Sequence, residues 1–261
     1  MQTFFRLKSW LLHFLLEIDE YSIHSPFLFN FYNDCINKSR HESADAKIES
    51  LRKSSIRDST LINTGEWGSS VEKGHRTHSI GKIARSGITR VEFSLLYREI
   101  IRYFNFTTVF ELGTSIGINT LYLADSSPQC SVYTFEGNPD LIRYAVKNFK
   151  EAAAPNIRII EGDIGEQLPI TIDSGLKPQF VFFDANHRYE PTVKYFNMLN
   201  HARTRNAVFV FDDIHWSREM NRAWNDIRKH EDVKIDLDLF QAGIIIFGSR
   251  LPKLSAKLVF N

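Results

Sequence analysis

An α/β fold, a mostly parallel seven-stranded sheet covered by helices on both faces, follows from three observations. From about residue 91 onward, apolar runs of strand length alternate with segments of helical periodicity, the pattern of a parallel sheet buried on both sides. The last two apolar runs, 233–240 and 243–247, are separated only by Gln241 and Ala242, so they must form an antiparallel hairpin. A glycine-bearing turn, Glu111-Leu-Gly113-Thr-Ser-Ile-Gly117, leads from the first strand into a helix.

Taken in order, residues 3–18 carry Trp, Leu and Phe at helical density and read as an apolar helix needing a partner surface, on its own chain or on a second copy in a homodimer. The remainder of residues 1–90 shows short helical patterns and polar connectors, which predicts a helical N-terminal extension. Its segment from Lys73 to Arg90 is basic and is expected to act as a lid. Residues 91–261 form the sheet-bearing domain. A helix over 91–104 precedes strands at 108–112, 131–135, 157–160, 180–183 and 207–211, with helices near 119–124, 141–149, 191–201 and 220–227.

The chain has 261 residues, 43% of them hydrophobic, and a net charge of +1, so it can bury a full core but has no global field for holding a phosphate backbone. A nucleic-acid partner is therefore not expected. Cys35 and Cys130 share no CxxC motif, which argues for reduced thiols and a cytoplasmic setting. No apolar stretch is long enough to span a bilayer. The basic and apolar start lacks the small-residue cleavage site of a secretion signal.

The turn at Gly113 to Gly117 lies where an open sheet binds a nucleotide-like ligand, and its two glycines let the backbone come close. Its GxxxG spacing departs from the GxGxxG of dinucleotide sites, which disfavours a nicotinamide oxidoreductase. Glu136 ends the second strand, 23 residues beyond Gly113, where a carboxylate accepts from both ribose hydroxyls. Asp163 follows the third strand and can accept from an exocyclic amine, or simply cap the next helix. Together the three outline an adenosine pocket.

These residues resemble the class I S-adenosylmethionine-dependent methyltransferases over roughly residues 88–248, in the Glu-x-Gly-x-x-x-Gly turn, the acid ending strand two, the Gly-Asp after strand three and the terminal hairpin. The resemblance implies a Rossmann-like fold in which Glu111, Gly113, Ser115 and Gly117 surround the methionine part of the cofactor. It assigns Glu136 to the ribose, and Asp163 with the backbone of Ile164 to the adenine. More loosely, Ile23-His-Ser-Pro-Phe27 resembles a helical extension of methyltransferases from Bacteroidetes-type bacteria.

Strand four ends at Asp184 with His187 three residues on, and strand five ends at Asp212-Asp213. Parallel strands point the same way, so these carboxylates are expected to converge as hard oxygen ligands on a cation such as Mg2+. That pattern resembles the metal-dependent O-methyltransferases of catechol-type or sugar hydroxyls, which the catechol-type members vary by carrying Lys at the position of His187 and Asn at that of Asp213. The resemblance implies Asp184, Asp212 and Asp213 as metal ligands, Asp184 also beside the cofactor, and His187 as general base. His187 suits that role if its pKa stays near the ordinary 6.5 or so. Caps on the following helix and a solvated loop are the plainer readings of the same residues. His215 and Trp216 are expected to line the pocket. The expected activity is O-methylation of a small hydroxylated molecule. A non-catalytic module that only binds S-adenosylmethionine or S-adenosylhomocysteine is the alternative.

Overall fold

Strand, turn and helix succeed one another from residue 108, as the apolar runs require. The protein is represented by a computed structural model that describes residues 2–18, 22–64 and 77–260. In chain order it comprises α1 (Gln2–Leu16), α2 (Pro26–Phe31), a π-helical stretch Tyr32–Asn37, α3 (Lys38–His41), α4 (Ala46–Arg57), β1 (Leu61–Asn63), β2 (Thr77–Ser79), α5 (Ile80–Gly87) and α6 (Val91–Tyr103). There follow β3 (Thr108–Leu112), α7 (Ile118–Ala124), β4 (Ser131–Glu136), α8 (Pro139–Ala152), β5 (Ile157–Glu161), α9 (Ile164–Asp173), β6 (Phe180–Phe183) and α10 (Tyr189–Ala202). The chain closes with β7 (Ala207–Asp212), α11 (Arg218–Ile227), β8 (Ile235–Asp238), β9 (Ala242–Phe247) and β10 (Leu254–Lys257). Strands β3 to β9 are the seven expected; α9 and the eighth strand, β10, were not expected.

Packing divides the chain into two compact units, residues 33–170 and residues 1–32 with 171–261. The first 90 residues are thus shared between both units. Lys73, His75 and Arg76 of the expected lid lie outside the described residues.

In the unit of residues 33–170, β3, β4 and β5 are parallel, with Glu111 opposite Thr134 and Glu136 opposite Glu161. Ile48, Leu51, Ile80 and Ala84 of the extension pack with Leu95, Ile118, Leu121, Ala145 and Phe149 in one core. Helix starts follow capping chemistry. The Asp45 carboxylate accepts from the amides of Lys47 and Ile48, both at 2.8 Å, and the Asn138 side chain accepts from those of Asp140 and Leu141 ahead of Pro139.

In the other unit, β6 and β7 are parallel and β9 runs antiparallel to both β7 and β8, giving the expected hairpin. Phe180, Phe182, Phe209, Phe211, Phe247 and Trp224 fill its core. Beyond the hairpin, β10 lies parallel to β8, and Ile18, just past α1, bridges to Leu258. The segment after α1 is thereby tied to the end of the sheet.

Candidate functional site

The turn after β3 is held from below by Glu111. This carboxylate is buried, and it accepts from Asn119 Nδ2 (2.9 Å) and from the hydroxyls of Thr120 and Thr134 (2.7 Å for the latter). It therefore braces the turn from inside. Gly117, at φ +80°, begins α7 in the left-handed region, and a Cβ there would stand 2.4 Å from the Phe149 ring. Ser115 also takes a positive φ of 50°. Its amide donates to Glu136 Oε2 at 2.9 Å, while the Asn138 amide donates to Oε1 at 2.9 Å. The turn and the acid ending β4 are brought together as expected. Burial raises the Glu136 pKa, opposed by backbone donors from Asn138, Ser115 and Gly137. Each oxygen keeps lone-pair capacity for a further donor. Asp163 is exposed after β5, and its Oδ1 accepts from the Gly165 amide at 2.7 Å, so it caps the start of α9 next to Ile164.

The second cluster sits at the ends of β6 and β7. His187 Nε2 stands 3.3 Å from Asp184 Oδ1. Asp212 is buried, and its Oδ1 has no hydrogen-bond partner among the described residues. Burial, then the charges of Asp184 and Asp213, push the Asp212 pKa well above the carboxylate range, and Asp213 is raised as well, chiefly by burial. Desolvation alone would lower His187, but the hydrogen bond to Asp184 and the charges of Asp184, Asp213 and Asp212 outweigh it and lift its pKa to about 9. The expectation of a near-neutral pKa is corrected accordingly: three carboxylates around one imidazole hold the proton on it at pH 7.

Asn186, His187 and Asp213 all adopt positive φ, at 67°, 37° and 54°. With Ser115, these are four of the seven described non-glycine residues in that region, and they fall on the candidate residues or beside them. Strained backbone concentrates where a side chain must be aimed. As ligands, however, the acids are not preassembled: among the described residues no three His, Cys, Asp or Glu side chains form a group able to hold one metal ion. The electrostatics would favour an added cation, while the donor arrangement as it stands does not enclose one.

The contacts of His215 and Trp216 lie within their own unit. His215 is buried and donates from Nε2 to Asp238, at 3.0 and 3.1 Å from its two oxygens, while Asn221 approaches Nδ1 at 3.0 Å. The Arg6 guanidinium lies 4.2 Å over the Trp216 ring. Asp238 was missed in the sequence. It also takes Lys257 Nζ at 2.9 Å and the Phe240 amide at 2.9 Å, and His13 Nε2 stands 3.0 Å from its carbonyl oxygen and 3.3 Å from Oδ1. Against a large burial penalty these donors hold its pKa far below the ordinary range. The signal was Asp236-Leu-Asp238, two acids inside an otherwise apolar strand.

Residues 110–214 match the model of a methyltransferase domain. No curated protein matches the chain. Among solved structures, a proposed caffeoyl-CoA O-methyltransferase from Staphylococcus aureus is 20% identical, with a TM-score of 0.61 over 82% of this chain and 97% of that one. The tomaymycin-synthesis O-methyltransferase of Streptomyces achromogenes, solved with S-adenosylmethionine, is 16% identical, at 0.59 over 83% and 96%. An O-methyltransferase of Bacillus cereus in complex with S-adenosylhomocysteine is 13% identical, at 0.61 over 83% and 99%. Residues 110–214 are thus similar to a methyltransferase domain, and the chain has the Rossmann-like fold of these solved structures.

Proposed function

We propose that this chain transfers a methyl group from S-adenosylmethionine to a hydroxyl of a small molecule. The observation that carries the reading is the joining of the Gly113–Gly117 turn to Glu136 through the Ser115 amide, within the matched methyltransferase domain. The two Glu136 oxygens receive the ribose hydroxyls, the glycine turn admits the methionine part close to the backbone, and Asp163 with the Ile164 backbone takes the adenine. Asp184 and His187 serve the acceptor. Methyl transfer from a sulfonium needs an oxygen nucleophile in line with the departing sulfur, so positioning supplies much of the rate. His187, oriented by Asp184, holds the acceptor hydroxyl and takes its proton once the surrounding negative charge is offset.

A cation-assisted variant has one observation in its favour, the buried oxygen of Asp212 that has no partner among the described residues. Asp184, Asp212 and Asp213 would hold a Mg2+-like ion after rearrangement. Such an ion supplies charge that lowers the acceptor's pKa.

Calorimetry with S-adenosylhomocysteine and with NAD tests the cofactor: the former binds, the latter does not, and Glu136→Ala loses about tenfold or more, the size of one good charged hydrogen bond. NAD binding instead would overturn the reading. Methyl transfer across a panel of phenols, catechols and sugars, with and without chelator, then separates the enzyme from a binding-only module. No turnover on any acceptor, with His187→Ala indistinguishable in cofactor affinity, selects the module.

A further inference from the structure

The first helix is turned inside out relative to an ordinary surface helix. Its inner face presents Ser9 and His13, both buried, and His13 reaches Asp238. Its outer face exposes Phe4, Leu7, Trp10, Leu11, Phe14 and Leu15, each between 46 and 72% accessible, with Trp10 and Phe14 stacked at 5.7 Å. Counting Leu12 and Leu16, the helix shows on the order of 900 Å² of apolar surface, beyond the ~300–600 Å² of the largest patch on a usual monomer and close to the ~800 Å² each partner gives a standard interface.

The spacing of that face selects its occupant. Phe4, Leu7, Leu11 and Phe14 follow one another at intervals of three, four and three, the seam of a two-helix coiled coil. The interval series reads the same in both directions. An antiparallel copy of the helix therefore meets it in register, Phe4 against Phe14 and Leu7 against Leu11, as a two-fold symmetric contact requires. A lipid surface fits less well. Helices lying on membranes line their polar side with Lys and Arg, whereas here that side is spent on the protein's own Asp238, and Arg6 lies on Trp216.

We infer that α1 is the interface of a homodimer, pairing antiparallel with α1 of a second copy. The test is light scattering and sedimentation of the full chain at micromolar concentration, beside Leu11→Glu. This site is exposed, so the variant folds, which circular dichroism confirms. The wild type sediments as a dimer and Leu11→Glu as a monomer with an unchanged spectrum. Orientation is read by oxidation: Leu7→Cys mixed with Leu11→Cys cross-links, while Leu7→Cys alone does not. A wild type that stays monomeric at 50 µM or so, or that floats as a monomer with phosphatidylserine-containing vesicles, overturns the inference. So does a dimer that Leu11→Glu leaves intact, and cross-linking by Leu7→Cys alone overturns the antiparallel pairing.

Discussion

Carboxylates at the strand ends behave in opposite ways in the two compact units. In residues 33–170, Glu111 and Glu136 are supplied with donors from the elements around them, Asn119 and Thr120 of α7 with Thr134 of β4 for one and the amides of Ser115 and Asn138 for the other. In residues 171–261, Asp184, Asp212 and Asp213 act electrostatically on one another and on a single imidazole, and Asp212 keeps an oxygen without a partner among the described residues. A satisfied buried acid is architecture that sets a geometry in advance. A cluster of acids at odds with one another costs stability, and such a cost persists where chemistry uses it.

The largest effect should come from the first kind. Gly117→Val places a branched side chain at φ +80° and into the Phe149 ring, so the melting temperature should fall by about 10 °C, from ~3–5 kcal/mol of strain and overlap, with S-adenosylhomocysteine binding lost. Scanning fluorimetry and calorimetry read both, and retained cofactor affinity would show that the turn does not shape the site. The next experiment compares isosteric neutralisations. Glu111→Gln should lower stability by about 1–3 kcal/mol, because an amide group then faces hydroxyl donors. Asp212→Asn should raise the melting temperature by roughly 2–4 °C, relieving about 1 kcal/mol of repulsion, while slowing methyl transfer. Equal signs for the two substitutions would erase the contrast between the units.

The smallest effect is a pH dependence. Burial opposes protonation of His13, yet its bonds to Asp238 raise its pKa above the ordinary value. A raised folded pKa gives stability that is fully present below pH 6.5 or so and is lost as pH climbs through the raised value. Asp238 acts in the opposite sense, stabilising above the ordinary carboxylate range and yielding only in strong acid. The melting-temperature gap between wild type and His13→Ala should therefore be widest near pH 6 and shrink by a few degrees toward pH 9. A gap independent of pH would mean that packing alone seats the helix.

Much of the fold was legible because its signals are local. Phe180 to Phe183 and Ala207 to Phe211 are continuous apolar runs, and Gln241-Ala242 leaves room only for a hairpin. β10 was hidden because Leu-Ser-Ala-Lys is short and half polar, and it becomes a strand only by pairing with β8. α9 was hidden by Pro169 within it. At the site, Glu136 could be placed from its position after an apolar strand, but the task of Glu111 depends on three donors supplied by α7 and β4. His187 was legible as a residue and not as a charge, since its proton is held by acids up to 26 positions away in sequence. His13 and Asp238 are separated by 225 positions, and no local pattern connects them.

That last separation sets an order of assembly. A ribosome releases residues 2–16 long before residues 235–258, so the opening helix waits for the strand bearing Asp238 before its histidine finds a counter-charge. Until then its histidine-bearing face is unmatched, so an element made early is seated late.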